Sequence, residues 1–241
     1  MIDADGRLVT PSFVDAHIHL DKVYTLPLLG DRAIEAYTGE GMAGATTAIE
    51  MARAVRTGDY RRETLLPSIR RALHEAVRYG TLHMQAFVDV DTAAGLEGLH
   101  AVLAARAEFR DVSEISVVAF PQDGLLRDPG AADLCEQALA QGARLLSIRS
   151  RRCCGCSGWP AGRVSPSSRT RTPGPWPCPS RRFCRPGLDV ALGQDDIEDA
   201  YYPYGRHNML EVAFLASHLL DLRGGLDQVR LVDMVTAGAR A

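Results

Sequence analysis

Short apolar runs alternate along the chain with longer segments in which apolar residues recur at intervals of three and four. The short runs are typical of buried strands, and the longer segments are typical of amphipathic helices. We predict strands at 12–20, 81–90, 114–120 and 144–148, and a further strand at 188–192. We predict helices at 61–79, 92–108, 131–141, 207–222 and 226–238. Pro67 lies inside the first helix, which we therefore expect to kink or start near this residue.

This alternation of strand and helix predicts an α/β fold, in which helices cover a parallel sheet. Doubly wound sheets and (β/α)8 barrels both produce such a pattern. Periodicity by itself leaves both architectures open.

The composition is that of an ordinary globular chain, with 46% hydrophobic and 24% charged residues among 241. No run approaches the roughly 18 apolar residues that cross a bilayer. Asp3, Asp5 and Arg7 stand where a signal peptide would have an apolar segment. We therefore expect a cytoplasmic protein that does not act at a membrane.

The segment 149–187 differs from both flanks. From Gly142 to Leu188 there are ten Arg and no Lys, Asp or Glu, so this stretch carries +10 and the rest of the chain −13. It holds five of the six Cys and seven of the 13 Pro, and it shows neither helical nor strand periodicity. A segment of this charge could attract nucleic acid, but it contains no nucleic-acid motif, and we predict no such partner.

Three interpretations of segment 149–187 are open. It could be a disordered basic linker. It could be a small metal-binding knuckle, although its CC-x-C and C-x5-C spacings differ from the paired C-x2-C sets of zinc sites. It could also derive from GC-rich DNA that is out of frame, since the chain uses 26 Arg and one Lys. The composition favours the third interpretation.

Polar side chains follow three of the predicted strands. His17 and His19 would point the same way from one strand, as two ligands of a divalent metal do. Asp195 follows the strand at 188–192 and could complete a metal site or accept a proton from water. Gln122 offers both an acceptor and donors to an amide-like ring. Taken singly, each pattern also fits unrelated histidines, an acidic helix cap or a polar turn.

Three motifs together resemble the cytosine deaminase branch of the metal-dependent amidohydrolases, a branch that includes N-isopropylammelide amidohydrolase-type enzymes. The motifs are PSFVDAHIHLDK, VAFPQDGL and ALGQDDIEDAYYPYGRHNMLEVAFLASHLL. The resemblance covers residues 2–148 and 188–241 and implies a (β/α)8 TIM barrel, with strands 1–4 and 8 recognisable. We therefore divide the chain into barrel parts at 1–148 and 188–241, separated by a non-family segment at 149–187.

The resemblance also implies a site and a reaction. His17, His19 and Asp195 would bind one divalent metal ion, Fe²⁺ or Zn²⁺, and Asp195 would also take the proton of the attacking water. Gln122 would hydrogen-bond the substrate ring and Tyr201 would line the pocket. The implied reaction is hydrolytic deamination of a cyclic amidine by metal-bound hydroxide. The implied substrate is a pyrimidine, triazine or pterin-like ring, and barrels of this kind often form homo-oligomers.

The chain departs from the family between strands 4 and 8. The family has a metal-binding His and a catalytic Glu after strand 5 and a catalytic His after strand 6, but this chain has no His between His100 and His207. About 40 residues stand where three β/α units would take about 90. We therefore expect a marginally stable chain with weak metal affinity and minimal catalysis, and the alternative is an inactive amidohydrolase fragment. The resemblance also implies that both ends lack parts of a small β-sandwich. His207 begins a predicted helix near the site, where contact with substrate is the less favoured of its two interpretations.

Overall fold

The computed structural model describes residues 3–29, 50–145, 163–164 and 190–240. The strands are β1 (Phe13–Ile18), β2 (Thr81–Asp89), β3 (Glu114–Phe120), β4 (Arg144–Leu145), β5 (Arg163–Val164) and β6 (Ala191–Leu192). The helices are α1 (described over residues 50–57), α2 (Arg62–Arg78), α3 (Glu97–Glu108), α4 (Ala131–Ala140), α5 (Met209–Leu219) and α6 (Gly225–Asp233). Short 3-10 helices cover Leu26–Leu29 and Ala237–Arg240.

The first four strands form one parallel sheet in the order β1-β2-β3-β4. A helix follows each of the second and third strands, as the predicted α/β pattern requires. The pairing of β2 with β3 is regular over seven residues, from His83 opposite Glu114 to Asp89 opposite Phe120. Because all four strands are parallel, their carboxyl ends lie at one edge, where ligands bind in such folds.

The C-terminal part of the chain returns to the free side of β1. Ile18 and Asp195 form a parallel bridge, in which the Asp195 N–H donates to the His17 carbonyl over 2.7 Å. The His19 N–H in turn donates to the Asp195 carbonyl over 2.9 Å. The last recognisable strand therefore lies beside the first, as it does where a β/α barrel closes.

Most predicted elements agree with the structure, with differences at their ends. Helix α3 begins at Glu97 rather than near 92, because the Asp91 carboxylate accepts the N–H groups of Ala93 and Ala94 and holds that stretch in a turn. Helix α2 begins at Arg62 and contains Pro67, so the expectation of a start near Pro67 is wrong.

Part of the predicted structure lies outside the described residues. For the strand predicted at 144–148, the structure describes Arg144–Leu145, and for the strand at 188–192 it describes residues 190–192. Within segment 149–187, Arg163–Val164 pair with Ala191–Leu192, where we predicted no element. The remainder of that segment, and with it the three interpretations of it, falls outside the described residues.

Three apolar clusters lie within the described residues, and two of them hold most of the elements together. The larger lies between the sheet and helices α2 and α3, and its fully buried members include Ile18, Ile69, Leu73 and Leu99. The smaller packs α5 and α6 against β6 through residues such as Leu192, Met209 and Leu231. Across the part of the chain that the structure describes, no helix combines the length and apolar character that a membrane span requires.

Candidate active site

His17, His19 and Asp195 meet at the carboxyl end of β1. The Nε2 atom of His17 lies 3.1 Å from Oδ1 of Asp195, and Nε2 of His19 lies 3.8 Å from the same oxygen. One ligand atom from each of the three residues falls within 4.8 Å of the other two. We call these residues the metal-ligand cluster. Sequence reasoning proposed all three, and the structure brings them together.

The approach of the Asp195 segment to β1 depends on Gly193. A Cβ atom at this position would lie 2.6 Å from the His17 Cβ and 2.7 Å from the His17 carbonyl oxygen. Both distances are too short for real atoms, so only glycine lets the segment run this close to the strand. Asp195 itself has a φ of +70°, a left-handed conformation that asparagine and aspartate tolerate better than most residues.

A buried contact between Asp15 and His207 lies next to the metal-ligand cluster. Oδ1 of Asp15 accepts the backbone N–H groups of His17 and Gln194, each over 3.1 Å. Oδ2 of Asp15 lies 2.9 Å from Nε2 of His207, and both side chains are fully buried. One carboxylate thus ties β1 to the segment that carries Asp195. His207, which the sequence places at the start of a helix near the site, is fully buried and contacts Asp15.

The donor set of the metal-ligand cluster fits a divalent cation. Two imidazoles and a carboxylate are ligands that Zn²⁺ and Fe²⁺ both accept. Burial, followed by the charges of Lys22 and His17, holds the pKa of His19 well below its usual value. A lowered pKa favours the neutral imidazole, which is the form that binds a metal ion.

A second group of charged side chains lies at the same edge of the sheet. Arg56 of α1 is 3.3 Å from Asp89, 3.4 Å from Asp91 and 3.4 Å from Asp123. Lys22 Nζ lies 3.0 Å from Oδ1 of Asp89. We call these five residues the ion-pair cluster. Burial by itself would lower the pKa of Lys22, but Asp89 and then Asp21 outweigh it and raise that pKa, so the ammonium keeps its charge.

Gln122 and Tyr201, the two predicted substrate-binding residues, contact this second cluster. Lys22 Nζ donates to Oε1 of Gln122 over 3.2 Å and lies 5.4 Å from the centre of the Tyr201 ring. Nε2 of Gln122 donates to the Tyr201 hydroxyl over 3.4 Å. The two clusters adjoin through Phe120, whose ring lies 5.3 Å from the His19 ring and which precedes Gln122 by two residues.

Sequence reasoning missed several of these residues. Asp15 stands two positions before His17 on the same strand, a spacing that places it on the same face and could have been noticed. Lys22 ends the quoted PSFVDAHIHLDK motif, but nothing in the sequence shows that it pairs with Asp89. Nothing in the sequence indicates that Arg56 belongs to the site, because its helix is far from Asp89, Asp91 and Asp123 along the chain.

The chain resembles known proteins both in sequence and in fold. The model of the amidohydrolase family matches residues 1–136, more than half of the chain. N-isopropylammelide isopropyl amidohydrolase of Pseudomonas sp. (strain ADP) is 37% identical over 145 residues, which are 60% of this chain. That match spans about a third of the relative's own length, 35%.

Two solved structures show the same fold. The crystal structure of 5-methylcytosine deaminase from Klebsiella pneumoniae, liganded with phosphonocytosine, matches with a TM-score of 0.75 at 21% identity, over 99% of this chain and 76% of that one. That of N-isopropylammelide isopropylaminohydrolase from Burkholderia multivorans ATCC 17616 matches with a TM-score of 0.67 at 23% identity, over 95% and 73%. These likenesses confirm the predicted fold, an incomplete α/β barrel. The match to the family model over residues 1–136 shows that the chain belongs to the amidohydrolase family, whose members are hydrolases.

Proposed function

We propose that this chain is a metal-dependent hydrolase of C–N bonds in a cyclic amidine, similar in reaction to cytosine deaminase. The observation that carries the proposal is the convergence of His17, His19 and Asp195 at the strand edge where barrels of this type hold their active sites. The chain's membership of a hydrolase family supports the same proposal.

In this proposal each residue of the site has a separate role. His17, His19 and Asp195 hold a divalent cation, Fe²⁺ or Zn²⁺, which when bound supplies Lewis acidity and lowers the pKa of water. The Asp195 carboxylate also accepts the proton of the attacking water and passes it to the leaving nitrogen. Gln122 hydrogen-bonds the ring, and Tyr201 covers one side of it.

The substrate we propose is a nitrogen-containing ring of the pyrimidine, triazine or pterin type. The named relatives are an amidohydrolase of N-isopropylammelide and a deaminase of 5-methylcytosine, and a Gln122 amide beside a metal suits such rings. We further propose a cytoplasmic protein that acts on small molecules rather than on nucleic acid or membranes and that forms homo-oligomers. The division into barrel parts at 1–148 and 188–241 also stays a proposal.

We expect slow turnover. The sequence has no His between His100 and His207, so the further histidine ligand and the further catalytic histidine that the resemblance implies have no counterpart there. Fewer ligands weaken metal binding, and a missing acid–base group costs about 10²–10⁴-fold in rate.

A direct assay tests the proposed function. The purified full chain, loaded with Zn²⁺ or Fe²⁺, is incubated with cytosine and with N-isopropylammelide, and released ammonia or isopropylamine is measured. We expect release that depends on metal and falls at least about 100-fold in Asp195→Ala. The control His100→Asn, whose exposed imidazole contacts Gln141 instead of the site, should keep the wild-type rate. No release above background from either ring would contradict the proposal and support the inactive-fragment alternative.

A further inference from the structure

The side-chain amide of Gln122 has one orientation in the structure, and Lys22 is the reason. Lys22 Nζ donates to Oε1 of Gln122 over 3.2 Å. An ammonium group has three donors and no acceptor. A flipped amide would turn its NH₂ group toward these donors, lose the hydrogen bond and place like partial charges face to face.

Lys22 is itself held in place. Its Nζ lies 3.0 Å from Asp89 Oδ1, and Asp89 is held from its other oxygen by Arg56 at 3.3 Å. The hydroxyl of Thr25 donates to the Lys22 carbonyl over 2.7 Å, which anchors the backbone just after β1. With its side chain only 8% exposed, Lys22 has little freedom to release Oε1 of Gln122.

The amide nitrogen of Gln122 therefore faces away from Lys22. It carries two N–H groups, and within the described part of the chain its partner is the Tyr201 hydroxyl at 3.4 Å. One N–H group is left for a ligand that binds next to Gln122.

We propose that Lys22 is a specificity-determining positioning residue, which fixes the Gln122 amide so that the site offers a donor and selects rings with an acceptor at that position. The acceptor is a ring carbonyl oxygen or an unprotonated ring nitrogen. A ring with an exocyclic amino group at that position would place its N–H donors against the N–H donor of Gln122. This inference rests on the proposed function in one respect, the binding of a ring beside Gln122. The orientation of the amide does not depend on it.

The first test compares two rings of nearly equal size: pyrimidin-2-one, which has an acceptor oxygen, and aniline, whose amino group donates and whose ring has no acceptor nitrogen. Binding to the full chain is measured by titration calorimetry. We expect the wild type to prefer pyrimidin-2-one by about tenfold. In Lys22→Met the preference should shrink to about twofold or less, because the amide can then flip. In Gln122→Glu it should reverse, because a carboxylate only accepts hydrogen bonds.

If Lys22 has only a structural role, we expect a different result in the ring titrations. Lys22→Met would then weaken both rings alike and leave the preference unchanged, and that result would overturn the proposal. If Lys22→Met does not fold, since it removes a partner of buried Asp89, the double variant Lys22→Met/Asp89→Asn removes both charges together and should show the same loss of preference.

The second test needs no ligand. The side-chain ¹⁵N–¹H signals of Gln122 are recorded in the full chain, in Lys22→Met and in the surface control Arg110→Met. We expect the Gln122 signals to shift in Lys22→Met and to stay in place in Arg110→Met. Unchanged signals in Lys22→Met would overturn the proposal whatever the ring titrations give. If the signals shift but the wild type binds neither ring, the orienting role stands and the proposed function fails.

Discussion

The two polar clusters at the carboxyl edge of the sheet differ in the source of their positive charge. In the ion-pair cluster the chain supplies its own cations, since Arg56 contacts Asp89, Asp91 and Asp123, and Asp89 also contacts Lys22. In the metal-ligand cluster the Asp195 carboxylate meets two imidazoles, and the lowered pKa of His19 keeps at least that one neutral.

This difference indicates what each cluster does. A buried carboxylate is stable only with a compensating partner. In the ion-pair cluster each carboxylate already contacts a cation of the chain, so the cluster suits a structural and orienting role beside Gln122. We propose that a cation from outside the chain completes the metal-ligand cluster. Four predictions test this contrast, and they run from the largest expected effect to the smallest.

Breaking the ion-pair cluster should produce the largest effect. Arg56→Met leaves three carboxylates without their shared cation, and we expect it to lower the free energy of unfolding by about 3–5 kcal/mol. Urea unfolding followed by circular dichroism measures this change. The matched control is Arg110→Met, whose exposed guanidinium lies 3.7 Å from Asp111 and which should change stability by less than about 1 kcal/mol. If the two substitutions change the free energy of unfolding equally, Arg56 does not stabilise the three carboxylates as we expect.

Adding a cation should stabilise the metal-ligand cluster. At 100 times its dissociation constant, Zn²⁺ should raise the free energy of unfolding by about 2.7 kcal/mol, and a chelator should reverse the gain. Thermal unfolding with and without Zn²⁺ gives the measurement. His17→Ala should remove most of the gain and His100→Asn should retain it. A gain that persists in His17→Ala would place the zinc elsewhere.

Loosening the support behind the ligands should weaken metal binding without removing a ligand. Asp15→Asn keeps an oxygen for the N–H groups of His17 and Gln194 but loses the charge that faces His207. Because groups behind the ligands orient them, we expect zinc affinity to fall about 10- to 100-fold. Competition with a chromophoric chelator measures it, and exposed Asp133→Asn is the control. Unchanged affinity in Asp15→Asn would show that the ligands hold their places without this support.

A buried carboxyl outside both clusters should give the smallest effect when the effect is expressed per unit of pH. Burial raises the pKa of Asp199 to about 6, above the ordinary value of about 3.9. Since the folded chain holds this proton more tightly, the resulting stability is fully present below about pH 4 and is lost as the pH rises through about 6. The expected slope is at most about 1.4 kcal/mol per pH unit.

The matching variant isolates this contribution. Asp199→Asn keeps the oxygen that accepts the Tyr201 N–H and cannot titrate, so stability measured between pH 4 and 6 should change less with pH than in the wild type. Asp111→Asn, at an exposed position, should follow the wild-type curve. A wild-type curve and an Asp199→Asn curve that run parallel would contradict the raised pKa.

Much of the fold could be predicted because local patterns determine it. The strand at 114–120 and the helix at 131–141 agree with Glu114–Phe120 and Ala131–Ala140 to within one residue. Each has a clear period of its own and a turn on either side. The predictions were less accurate where a side chain competes with the pattern, as when Asp91 holds the start of α3 in a turn.

The candidate site also contains residues that the sequence could predict and contacts that it could not. His17 and His19 were predictable because their spacing on one strand places both imidazoles on one face. The pairing of Lys22 with Asp89 and the pairing of Asp15 with His207 were not predictable. The partners are far apart along the chain, and no sequence pattern links them.

The sequence by itself determined the kind of fold and the residue types available for chemistry: parallel β/α units, an H-x-H strand and an Asp after the last strand. Only the tertiary structure decided that Asp195 reaches His17. That contact needs the C-terminal segment to pair with β1 and needs Gly193 to pass within a distance that any side chain would block. The physical reason is that charge compensation and close packing act between residues that are near in space, whereas periodicity acts only between neighbours along the chain.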